Sequence, residues 1–120
     1  MTQREVCKYL YDIAQACEAL ARFAAERTFD DYKADELLRS GVERQLITIG
    51  EALHQALRLE PALADHIAQT EDIIAFRNRL VHGYDVVSDE LVWSILRGEV
   101  PALHREVRTL LGGDDVAHGD

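Results

Sequence analysis

The sequence lacks long apolar runs, and no stretch approaches the roughly 18 uninterrupted apolar residues that a membrane-spanning helix requires. Its first ten residues carry charges where a signal peptide would have its apolar segment. We therefore expect a cytoplasmic protein. The 120 residues correspond to one domain. A monomer of this size buries only about two-thirds of the surface of its unfolded chain, so self-association is the default expectation.

Cysteine is also scarce, because Cys7 and Cys17 are the two in the chain. They are ten positions apart on one predicted helix, which separates them by about 15 Å and puts them beyond the reach of a disulfide. Both are predicted to be buried thiols. No Cys/His spacing resembles a zinc site, so we predict no metal site and no cofactor.

Positive charge is the third shortage, since 13 Lys and Arg face 22 Asp and Glu and the formal net charge is −9. Nonspecific affinity for phosphates comes mainly from Lys and Arg, so a protein that grips nucleic acid with its whole surface is excluded. A local site is still compatible with this charge. From Ile73 to Tyr84 the formal charges are those of Arg77 and Arg79, without an acid among them.

The chain does contain apolar residues at steps of three and four, the period of an amphipathic helix. One stripe predicts a helix over about 4–26. A second helix, capped by Asp35, contains Gly41 and Gly50. The two helices are expected to pair antiparallel, and a close contact would offset the cost of each glycine, up to about 1 kcal/mol. Residues 28–34 are interpreted as the turn between them.

Further along, Pro61 suits the first turn of a short third helix, and Thr70 begins a fourth helix. Ser88 can cap a last helix, which Pro101 is expected to kink or split. No strand pattern is present. The sequence thus predicts an all-α domain of four to five helices over residues 1–111, followed by a disordered acidic tail over 112–120.

The candidate site residues lie together at 77–84, which reads Arg-Asn-Arg-Leu-Val-His-Gly-Tyr. Asn78 and His82 are four apart and share a helix face, so the amide could orient the imidazole. Arg77 is about 140° from His82 around an ideal helix. Either the helix end turns His82 back, or two such helices meet across a dimer.

An imidazole beside a guanidinium suits metal-free cleavage of RNA, which supplies its own nucleophile, the 2′-hydroxyl. From spacing alone, Arg77 and His82 could equally stabilise the negative end of a helix dipole. The other histidines are interpreted as bystanders: His54, His66, His104 and His118.

Arg77, His82 and Tyr84 match the R-x4-H-x-Y signature, so the chain resembles HepT-like proteins, a branch of the HEPN superfamily. The run Arg-Gln-Leu-Ile-Thr-Ile-Gly-Glu-Ala at 44–52 is similar to the family's long second helix. The resemblance covers residues 1–111. It implies an up-and-down helical bundle and a homodimer with a composite active site.

The resemblance also implies a metal-independent ribonuclease, acting on an RNA such as tRNA or mRNA, that serves as the toxin of a toxin–antitoxin pair. In this sequence Arg77 and His82 would be catalytic, and Asn78 would support them. The implied partner is a minimal nucleotidyltransferase antitoxin of the MntA type, which adds AMP to the motif tyrosine, here Tyr84. The added bulk and negative charge beside Arg77 would repel RNA.

Two other interpretations of the motif stay open. In one, the protein is a noncatalytic module that binds a nucleotide or docks a minimal nucleotidyltransferase, and it would bind without producing RNA fragments. In the other, the motif of a structural dimer is only a helix-end cap and interface network. Replacement of Arg77 would then lower the melting temperature and change nothing else.

Overall fold

The computed structural model describes residues 2–82 and 87–112, and every regular element in these ranges is helical. This confirms the all-α prediction. In chain order the elements are α1 (Thr2–Ala24), α2 (Phe29–Ala34), α3 (Glu36–Leu59), a 3-10 turn (Pro61–Asp65), α4 (Thr70–His82), α5 (Asp89–Ser94), a π segment (Ile95–Glu99) and α6 (Val100–Leu110). The predicted tail, apart from Gly112, lies outside the described residues. None of the described helices is long and apolar enough to cross a membrane.

The helices α1 and α3 form the antiparallel pair that their apolar stripes predict. Tyr9, early in α1, lines a cavity together with Gln55, late in α3. Phe23, at the other end of α1, lies 3.4 Å from the position that a Cβ on Gly41 would take. The core of the molecule includes fully buried side chains of both helices, among them Ile13, Leu20, Val42, Ile49 and Leu53. The helix α6 packs against α1 as well.

Residues 28–34 are not a simple turn, because Phe29–Ala34 forms α2. The Thr28 hydroxyl accepts a hydrogen bond from the Asp31 N–H at 3.1 Å, and the Thr28 N–H donates to the Asp31 carboxylate at 2.9 Å. This is a capping box in which Asp replaces the usual Glu or Gln. The helix buries Tyr32 completely, with its ring centroid 5.5 Å from that of Trp93. The turn prediction was wrong because Thr-x-x-Asp also starts a helix.

The last helical stretch accommodates Pro101 in a way that the sequence did not indicate. The helix α5, the π segment and α6 run without interruption over 89–110. Just before the proline, the Val100 N–H donates to the Ile95 carbonyl, five residues back. A wider turn at this point relieves the clash between a proline ring and the carbonyl four residues earlier. The helix therefore widens ahead of Pro101 instead of splitting.

The two cysteines have different environments. Cys17 is buried as predicted, and burial, with a smaller contribution from the charge of Glu18, raises the pKa of its thiol to about 12. Cys7 is exposed, so the prediction of a second buried thiol was wrong. The buried stripe of α1 includes Val6 and Leu10. Cys7 follows Val6 by one position, about 100° around the helix, and so leaves this stripe.

Candidate active site

The helix α4 carries the motif, and its charges are arranged to suit its dipole. Glu71 and Asp72 place negative charge in its first turn, where the dipole is positive. Arg79 places positive charge in its last turn, where the dipole is negative. Its first residue, Thr70, is buried. Among the described elements, α3 is the main packing partner of α4. The described part of the motif, residues 77–82, therefore occupies the C-terminal half of a helix that lies against α3.

Gly50 sets the closest approach of α3 and α4. A Cβ placed on Gly50 would lie 2.6 Å from Cγ of Arg77, far inside van der Waals contact. The two helices can meet here only because glycine has no side chain. The stem of Arg77 therefore lies directly on the backbone of α3. This confirms the expectation that close helix contact explains an interior glycine at this position.

The guanidinium of Arg77 is held by two neighbours. Its Nη1 donates to Oδ1 of Asn78 at 2.5 Å, and its Nη2 donates to Oε2 of Glu51 at 3.4 Å. Its Nε is buried and has no hydrogen-bond partner among the described residues. Each Nη carries a second N–H, so the group retains donors for a further acceptor. With a side chain that is 28% exposed, Arg77 is both fixed and accessible from solvent.

The Asn78 amide contacts Arg77, a partner that helical spacing did not predict. The predicted partner was His82. His82 is exposed and is the last residue of α4. Since α4 stays helical through His82, the described part of the helix end does not turn this residue back toward Arg77. On a regular helix the two side chains leave in directions about 140° apart. Tyr84, the predicted modification target, lies outside the described residues.

Beside Arg77, a cavity of about 370 Å³ lies between α1, α3 and α4. We call it the α1–α3 groove, and it is lined by Tyr9, Asp12, Thr48, Glu51, Ala52, His54, Gln55 and Arg77. The sequence predicts His54 to be a bystander, and the structure places it in the lining of this groove. A signal was available, because His54 is three residues after Glu51 and so falls on a neighbouring part of the α3 surface. Glu51 belongs to the run at 44–52 that resembles the family's second helix, and is interpreted from the sequence as a structural partner for Arg44 or for another helix. The structure pairs it with Arg77 on α4.

Elsewhere in the described part of the chain, His104 pairs with an acidic residue. Nε2 of His104 lies 3.1 Å from Oε2 of Glu18 and joins α6 to α1. His66 is exposed after the 3-10 turn, and His118 lies outside the described residues. Over residues 2–82 and 87–112, no group of three or more His, Cys, Asp or Glu side chains is placed to hold a metal ion.

Several known proteins resemble this chain. Residues 13–110 match a family model described as ribonuclease HepT-like. A protein of Thermococcus cleftensis named as a probable ribonuclease HepT is 30% identical over 99 residues, which are 79% of this chain and 86% of that protein. A protein of Caldanaerobacter subterraneus subsp. tengcongensis, named as a candidate RNase, is 30% identical over 103 residues, 86% of this chain and 91% of the relative.

A candidate RNase of Methanocaldococcus jannaschii is 26% identical over 113 residues, which are 92% of this chain and 91% of that protein. No solved structure matches the chain. The matched region includes Gly50 and Glu51 on α3 together with Arg77, Asn78 and His82 on α4. The helical order, the motif and the match over residues 13–110 agree, and the chain belongs to the ribonuclease HepT-like family.

Proposed function

We propose that this protein is a metal-independent endoribonuclease that acts in the cytoplasm as the toxin of a toxin–antitoxin pair. The observation that carries the proposal is the arrangement of Arg77, which is seated on Gly50, oriented by Asn78 and Glu51, and still partly exposed. A fixed guanidinium with donors to spare is suited to bind a phosphodiester. The relative from Thermococcus cleftensis, named as a probable ribonuclease, supports the same activity.

In the proposed reaction, the RNA 2′-hydroxyl attacks the adjacent phosphorus while the bond from phosphorus to the 5′-oxygen breaks. The products are a 2′,3′-cyclic phosphate and a 5′-hydroxyl. Arg77 stabilises the negative charge that develops on the phosphoryl oxygens. His82 takes the proton from the 2′-hydroxyl or gives one to the leaving oxygen, since an imidazole can do either near neutral pH.

A homodimer would bring these two roles together. Arg77 and His82 diverge around α4, so an arginine of one copy and a histidine of the other could face the same phosphate. Two features of the described surface support self-association. Val81 on α4 is 47% exposed. A mainly apolar cavity of about 340 Å³ also lies between α4 and the last helical stretch, lined in part by Ile73, Phe76 and Ile95. Exposed apolar surface of this kind is typical of an interface.

We further propose that a minimal nucleotidyltransferase of the MntA type inactivates the protein at Tyr84. The phenol oxygen would form a bond to the α-phosphorus of ATP, and the bond between the α-phosphorus and the bridging oxygen would break, releasing pyrophosphate and the phenol proton. The attached AMP would add negative charge two residues from His82 and repel RNA. Intact mass after incubation with the antitoxin and ATP should rise by one adenylyl group, and Tyr84→Phe should abolish this increase.

Cleavage of total RNA and purified tRNA without added metal tests the ribonuclease proposal. The unmodified parent is compared with His82→Ala and with His66→Ala, which removes an exposed histidine outside α4 and outside the lining of the α1–α3 groove. We expect His82→Ala to lower the rate by about a hundred- to ten-thousand-fold, as for the loss of a general acid or base, and His66→Ala to match the parent. Equal cleavage by all three proteins would refute a catalytic role for His82.

The absence of RNA cleavage would favour a different function. If none of the three proteins cleaves RNA, and their intact masses carry no adenylyl group, the ribonuclease proposal fails. The noncatalytic module that binds a nucleotide or docks a nucleotidyltransferase would then account for the motif. Its mark would be saturable binding of the antitoxin, weakened by Arg77→Ala, without RNA products.

A further inference from the structure

The α1–α3 groove has a composition that is unusual for a surface that receives RNA. Along α1, Tyr9 and Asp12 are three residues apart and share one helix face. Along α3, Thr48, Glu51 and Gln55 are spaced by three and four and also share a face. The two faces meet across one cavity, and Arg77 lines it from α4. The groove is therefore built from three helices and is polar on both sides.

The charges in the groove are divided between two functions. Asp12 and Glu51 are hydrogen-bond acceptors that would repel a phosphate, whereas Arg77 would attract one. Glu51 already accepts a hydrogen bond from Arg77 through Oε2. Asp12 is bound to no described group except Lys8, at a distance of 3.8 Å. A ligand that is complementary to these two side chains carries N–H donors for Asp12 and a phosphate for Arg77.

An unpaired nucleotide has both features, and its base can be held by stacking and by hydrogen bonds to its Watson–Crick edge. Among the four RNA bases, guanine alone presents two adjacent N–H donors on that edge, at N1 and at the 2-amino group. A carboxylate accepts both at once through its two oxygens. Tyr9 offers an aromatic ring in the same groove for stacking.

We propose that the α1–α3 groove is a base-binding subsite that selects guanine on the 5′ side of the scissile phosphate. Asp12 accepts the two guanine N–H donors, Tyr9 stacks on the base, and the 3′-phosphate of the same nucleotide reaches Arg77. The assignment of this phosphate as the scissile one rests on the proposed ribonuclease function. The recognition of the base can be tested without cleavage.

Lys8, which precedes Tyr9 on α1, contacts two residues of the groove. Its ammonium is 3.8 Å from the carboxylate of Asp12 and 5.1 Å from the centroid of the Tyr9 ring. A cation in this position offsets the repulsion between Asp12 and an incoming polyanion. The contact is solvent-exposed, with the Lys8 side chain 70% exposed, so it can rearrange when a nucleotide binds.

The test measures equilibrium binding of guanosine, adenosine, cytidine and uridine 3′-monophosphates to the full chain carrying His82→Ala. This background removes the proposed catalytic imidazole but leaves every residue of the groove unchanged. We expect the guanosine nucleotide to bind about tenfold more tightly than the others, the discrimination typical of one bidentate contact to a base. Equal binding of the four nucleotides would overturn the proposal.

Two further variants identify the group responsible. Asp12→Asn replaces one acceptor oxygen with an N–H₂ donor that opposes a guanine donor, so it should remove the preference. Asp30→Asn makes the same chemical change at an exposed acid on α2, outside the groove, and should preserve the preference. A preference that survives Asp12→Asn would refute the assigned role. Melting temperatures close to that of the parent would show that both variants fold.

The outcomes separate the subsite from the ribonuclease. Guanine-selective binding by a protein whose unmodified parent does not cleave RNA supports the subsite and refutes the proposed activity. Cleavage that depends on His82 but shows no guanine preference, in binding or in the mapped cleavage sites, refutes the subsite and leaves the ribonuclease proposal intact.

Discussion

The helices α3 and α4 lie against each other and yet differ sharply in burial. Eight residues of α3 are buried, Leu38, Val42, Leu46, Ile49, Gly50, Ala52, Leu53 and Ala56. On α4 only Thr70 belongs to this class among the described residues. Its apolar side chains are partly buried at best, and Val81 is 47% exposed. The helix that carries the motif thus contributes least to the core.

This difference follows from packing partners, because α4 has its own apolar residues. Ile73, Ile74, Phe76 and Leu80 form a broad apolar face, but α3 is the main element available to cover it. Burial of α3 stabilises the fold, while the contact at Gly50 determines where Arg77 lies. Stability and site geometry should therefore respond to different substitutions. A helix with few buried contacts is also expected to open locally more easily than the core.

The largest effect on stability should come from a substitution on α3, the more buried of the two helices. Leu53 is completely buried, so Leu53→Ala should lower the free energy of unfolding by about 2–5 kcal/mol. Leu80 on α4 is only partly buried, and Leu80→Ala should cost about 1 kcal/mol. Urea denaturation of both variants measures the difference. Equal losses would mean that α4 is as much a part of the core as α3.

The second-largest effect should come from a substitution at Gly50, where α3 contacts α4. Gly50→Ala adds a Cβ that cannot coexist with Arg77 Cγ at 2.6 Å, so α4 must shift. We expect a loss of about 1–3 kcal/mol, typical of overpacking, together with a large loss of RNA cleavage because Arg77 moves. Denaturant midpoints and cleavage rates on the same preparations test both expectations.

Gly41→Ala is the matched control on the same helix. A Cβ at this position would be 3.4 Å from the Phe23 ring, which is ordinary contact at its lower limit. The higher helix propensity of alanine should then stabilise α3 by up to about 1 kcal/mol, with cleavage unchanged. If both glycine variants lose cleavage to the same extent, the closeness of Arg77 to Gly50 is not what orients the site.

The sequence predicted the features that depend on neighbours within one helix. Apolar spacing predicted the long helices. The caps at Asp35 and Ser88 are confirmed, with the Leu38 N–H donating to Asp35 at 3.0 Å and the Leu91 N–H donating to Ser88 at 3.1 Å. Each of these contacts spans three residues, so the pattern contains both partners. The family resemblance, carried by the spacing within 77–84, was confirmed for the same reason.

Features that depend on packing between helices were not visible in the sequence. The contact of Arg77 with Glu51 depends on where α4 crosses α3. His54 likewise lines the same groove as Arg77 only because α3 packs against α4. No spacing within one helix contains this information.

The smallest effect should come from Glu26, an exposed residue that follows α1. Its φ is +60°, in the left-handed region that costs a non-glycine residue roughly 1–2 kcal/mol. Glu26→Gly should remove this cost but also increase the entropy of the unfolded chain, for a net gain of about 0.5 kcal/mol. Glu26→Ala keeps the strained backbone and should show no gain in stability.

Thermal unfolding of the two variants distinguishes them. RNA cleavage should stay at the parent rate in both, because Glu26 is exposed and outside the α1–α3 groove. A change in cleavage would mean that the turn after α1 and the site on α4 are coupled, so that stability and site geometry do not respond to separate substitutions.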